Sequence, residues 1–153
     1  QATPLQIGLM LGLSGIVGAA VQGGFVRRVP PGREVAVTMT GLFISAVGMV
    51  LILFSSSFWN ATLFVIIFGI GNTLIRPCIT SLVTKHSEFS YGISTGLVSS
   101  MDSLGRIFGP LLATLFYSWQ ISLPFVVTAV LSLLSIGLLI AYRQQTKHMP
   151  KAA

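Results

Sequence analysis

Residues 27–54 read RRVPPGREVAVTMTGLFISAVGMVLILF. A basic turn containing two prolines gives way at Val35 to an unbroken run, through Phe54, that carries no charge. At 1.5 Å per helical residue this run covers about 30 Å, the thickness of a bilayer's hydrocarbon core. Lipid leaves no partner for open backbone groups, so the run is read as a transmembrane helix. Four more runs of the same kind are Ile7–Val26, Thr62–Val83, Gly92–Tyr117 and Pro124–Tyr142. The fold class is therefore an all-α integral membrane protein with five transmembrane helices. A composition that is 53% hydrophobic and 8% charged fits a multi-pass chain and not a soluble domain.

The connections alternate in charge. The first carries Arg27, Arg28 and Arg33, the third Lys85, and the tail Arg143, Lys147 and Lys151. The second, Ser55 to Ala61, and the fourth, Ser118 to Ser122, carry none. Seven of the nine basic residues thus lie on one side, which the positive-inside rule makes cytoplasmic. The C-terminus is then inside, and Trp59, Tyr117 and Trp119 mark the outer interface, with Tyr91 and Tyr142 at the inner one. This scatter of basic residues does not suggest nucleic-acid binding. The lone cysteine, Cys78, excludes an intrachain disulfide. No metal-ligand spacing, nucleophile–base pair or phosphate loop appears, so no enzyme and no cofactor is expected. His86 and Glu88 read as solvated loop residues.

Two kinds of span can be told apart. Spans two and five hold only Ser and Thr as polar groups and suit lipid-facing positions; Glu34 precedes span two, where a carboxylate favours the positive helix end. Span one has small residues four apart, Gly8 and Gly12, then Gly15, Ala19 and Gly23, which predicts close helix packing. Span four is two-faced: Thr95, Ser99, Asp102, Arg106, Gly109 and Ala113 form one stripe, opposite Ile93, Leu97, Leu104, Leu111 and Leu115. Span three repeats this weakly with Gly69, Asn72 or Thr73, Arg76 and Thr80, and Pro77 predicts a break in mid-span. Glycine-rich span one corresponds to span four and uncharged span two to span five, as inverted three-helix repeats would give.

Arg76, Asp102 and Arg106 are the charges inside spans. Each would cost about 2.5–3.5 kcal/mol at a helix centre if unpaired. Asp102 can pair with Arg106 one turn away, or with Arg76 across spans three and four. Either way one arginine is expected to be left over. Static interhelical pairing and a role in substrate passage or gating are both compatible with such charges. Asp102 is the one carboxylate inside a span, hence a candidate proton carrier.

The stretch Gly23-Gly24-Phe25-Val26-Arg27-Arg28-Val29-Pro30-Pro31-Gly32-Arg33 resembles the loop motif Gly-x-x-x-Asp-Arg-x-Gly-Arg of the major facilitator superfamily. Arg27 stands where the motif has Asp, and Gly32 falls one place late; both fit the degenerate copy after the eighth helix. Gly105-x-x-x-Gly109-Pro110 resembles the Gly-x-x-x-Gly-Pro element of proton-coupled drug antiporters. Gly71 to Pro77 and Ser103 to Pro110 look like bacterial multidrug and tetracycline-type efflux proteins. The resemblance implies that residues 1–153 are helices 8–12 of a twelve-helix porter whose N-terminal half is missing, or, with the same topology, helices two to six. It places Arg76 and Asn72 on the pathway and spans two and five at the periphery.

Three functions follow as expectations: proton-coupled efflux of lipophilic drugs by alternating access, driven by a proton gradient; a porter for a polar or anionic metabolite; or a non-transporting membrane scaffold subunit. The expected partners are the lipid bilayer, a small-molecule substrate and protons, in the cell membrane of a bacterium.

Overall fold

The computed structural model describes residues 3–24, 30, 32–86 and 90–148. Arg27, Arg28, Glu88 and Lys151 lie outside the described residues, as do the side chains of His86 and Lys147. Five helices follow one another: α1 (Pro4–Gly24), α2 (Glu34–Ile52), α3 (Phe58–His86), α4 (Tyr91–Trp119) and α5 (Leu123–His148). Four of them, α1, α2, α3 and α5, are long and apolar enough to cross a membrane. At 29 residues α4 is long enough too, and Asp102, Arg106 and its many Ser and Gly residues lower its hydropathy. These helices make the chain a multi-pass membrane protein.

In hydrocarbon a hydroxyl without a partner is costly, so hydroxyls turn back onto their own helix. Thr38 donates to the Glu34 carbonyl at 2.8 Å, Thr73 to Gly69 at 2.8 Å and Ser103 to Ser99 at 2.9 Å. Thr114, Thr128 and Ser132 do the same onto Pro110, Pro124 and Thr128. Ser and Thr can therefore sit anywhere around these helices at little cost.

The tightest packing is between α2 and α3, and it is made by glycine. A methyl group at Gly71 would stand 2.5 Å from the Gly41 carbonyl oxygen and 2.6 Å from the Ser45 nitrogen. One at Gly48 would stand 2.6 Å from the Phe68 nitrogen. Thr38, Ser45, Ala46, Leu74 and Cys78 are buried in the same seam. Span two, read as suited to a lipid-facing position, also packs on a neighbour. One face of α2 packs on α3 and its opposite side, with Phe43, Val47 and Val50, stays exposed. Its lack of charge suited both environments, because a seam of Gly, Ala and Ser is as uncharged as a lipid face. In α5, by contrast, Ala129 is buried while Leu131, Leu133, Leu134 and Leu138 are exposed.

The close packing expected along Gly8, Gly12, Gly15 and Gly23 is not made within the described residues. A methyl at any of them would meet nothing within 4 Å. The helix instead approaches α3 at Gly18, where a methyl would lie 3.3 Å from Thr73 Oγ1. The break expected at Pro77 is also absent, since α3 runs as one helix through it. A proline costs one backbone bond, and neighbouring helices and Ser/Thr groups can compensate that loss in a membrane helix.

At the end of α2 that carries Arg33, Glu34 is nine-tenths buried. Its carboxylate accepts the Gly32 N–H at 2.7 Å, pairs with Lys85 in the last turn of α3, and takes the Ser81 hydroxyl at 3.5 Å. Gly32 adopts φ +93°, a conformation that side-chain-bearing residues rarely take, and this turn presents its N–H to Glu34. Lys85 is thus helical and not in the loop where the sequence reading put it.

Candidate functional site at the α3–α4 seam

Arg76, Asp102 and Arg106 converge where α3 meets α4. Arg76 donates through Nη2 to both carboxylate oxygens of Asp102. Arg106 approaches from the next turn of α4, its Nε 3.3 Å from Asp102 Oδ2. The side chains are 56%, 40% and 68% exposed for Arg76, Asp102 and Arg106. Each of the three lies within about 6 Å of its helix's midpoint at 1.5 Å per residue. A group of charges at that depth needs either protein partners or water.

The sequence reading left one arginine without a partner. The structure corrects this: both guanidiniums share one carboxylate, which has two oxygens and room for about four donors. Among the described residues two cations thus face one anion.

The other singled-out residues distribute as follows. Asn72 lies one turn before Arg76 on α3 and is exposed. Gly105, Gly109 and Pro110 lie inside α4, which runs through Pro110 unbroken, and methyls at the two glycines would meet nothing within 4 Å. Gly23 is exposed near the end of α1, and Arg33 is the N-cap of α2, exposed, with its N–H on the Pro30 carbonyl at 3.2 Å. Gly32 therefore belongs to the Glu34–Lys85 tie and Arg33 to the start of α2, and neither lies in the mid-membrane cluster.

That tie was missed by sequence reasoning, and so was the Gly41–Gly48–Gly71 seam. A signal existed for the second: small residues recur at 41, 45, 46 and 48 in span two. For the first, Glu34 and Lys85 are far apart in the chain and only the fold brings them to one level.

Against known proteins, the chain is 31% identical over 118 residues to major facilitator superfamily domain-containing protein 10 of Homo sapiens, covering 76% of this chain and 26% of that protein. The chain's homologues over most of its length are major facilitator superfamily proteins. A second relative is quinolone resistance protein NorA of Staphylococcus aureus, 27% identical over 143 residues, which is 93% of this chain and 37% of that protein. The chain thus spans about a quarter to just over a third of the length of these relatives. No family model matches the chain.

Proposed function

We propose that these helices are the last five of a twelve-helix secondary transporter that exports lipophilic small molecules in exchange for protons. The observation that carries this reading is the Arg76–Asp102–Arg106 cluster at mid-membrane depth. It joins two helices through one shared carboxylate. The similarity to a protein named for quinolone resistance supports efflux as the direction.

In this account α3 and α4 line the pathway, with Asn72, Arg76, Asp102 and Arg106 on it. Charged Asp102 holds α3 to α4 through Arg76; a proton on Asp102 weakens that hold and frees the seam to open. Two halves rocking about a midplane site then alternate its access. The tie of Glu34 to Lys85 and the α2–α3 seam keep the remaining helices moving as one body. A proton gradient drives the cycle without a cofactor. The basic connections face the cytoplasm of a cell-membrane protein, with the C-terminus inside.

Purified full-length protein in liposomes tests this. A lipophilic fluorescent dye is expected to move when a pH gradient is imposed and to stop when a protonophore collapses it. Dye movement that ignores the gradient would remove the proton from the account. No movement at all, with folded protein, would favour a non-transporting scaffold.

A further inference from the structure

We draw no further inference here: the strongest candidate, the side-chain cluster in which Glu34 gathers the Gly32 N–H, Ser81 and Lys85 and fastens the start of α2 to the last turn of α3, belongs to the packing of α2 on α3 already described, and nothing in the structure shows what would open it.

Discussion

Gly71→Ala is expected to remove most folded protein, although it adds a single methyl group. That methyl would sit 2.5 Å from the Gly41 carbonyl oxygen and 2.6 Å from the Ser45 nitrogen. Both neighbours are helix backbone, so no flexible side chain can swing away, and α2 and α3 must separate. Overpacking of this kind costs about 1–3 kcal/mol where side chains can adjust, and the absence of such relief places Gly71 at the upper end. Gly48→Ala, facing the Phe68 backbone, should behave alike. Gly137→Ala on α5 is the comparator: nothing lies within 4 Å, and alanine is the better helix former by about 1 kcal/mol. The midpoint of thermal unfolding and the yield of monodisperse protein report the difference. Equal stability for Gly71→Ala and Gly137→Ala would mean that the α2–α3 seam is misplaced.

Asp102→Asn should have the largest effect on transport, reducing proton-driven dye movement to that of empty liposomes. The substitution keeps the size of the side chain and removes both its charge and its ability to exchange a proton. It also removes the carboxylate that Arg76 and Arg106 share, so folded yield should fall as well. Arg76→Gln in the same molecule should recover part of the yield and none of the transport. Double-mutant cycles should give both arginines a coupling to Asp102, within about 0.5–3 kcal/mol for groups in one network. Arg76 should show the larger value, because it holds both carboxylate oxygens whereas Arg106 approaches one. Normal transport by Asp102→Asn would remove the carboxylate from the mechanism.

The helices were legible because hydropathy and loop charge are strong, local signals. Span three was read as Thr62–Val83 and is a helix over Phe58–His86; span four was read as Gly92–Tyr117 and is a helix over Tyr91–Trp119. The helices run past the apolar core because backbone pairing continues through Asn60 and Lys85, which hydropathy discards. Which faces pack was much less legible. Span one has the most conspicuous glycine spacing, yet the backbone contact falls on Gly41, Gly48 and Gly71. A glycine permits close approach, but only a complementary surface on the partner makes it happen, and that surface is not encoded next to the glycine. The charge cluster was half legible. Depth and helical spacing brought Arg76, Asp102 and Arg106 together, but exclusive pairing was assumed where one carboxylate serves two guanidiniums. The Glu34–Lys85 tie was invisible for a different reason: its two partners sit 51 residues apart.

The central claim is that the face of α3 and α4 bearing the charges lines a water-filled pathway, and single-cysteine labelling tests it most directly. In full-length protein with Cys78→Ser, Asn72→Cys and Ser99→Cys report on that face, and Phe43→Cys reports on the exposed outer face of α2. A membrane-impermeant thiol reagent is expected to label the first two, with transported substrate slowing both reactions, and to leave Phe43→Cys unmodified. Labelling of Phe43→Cys as fast as the others, or no protection by substrate at Asn72→Cys and Ser99→Cys, would contradict the account.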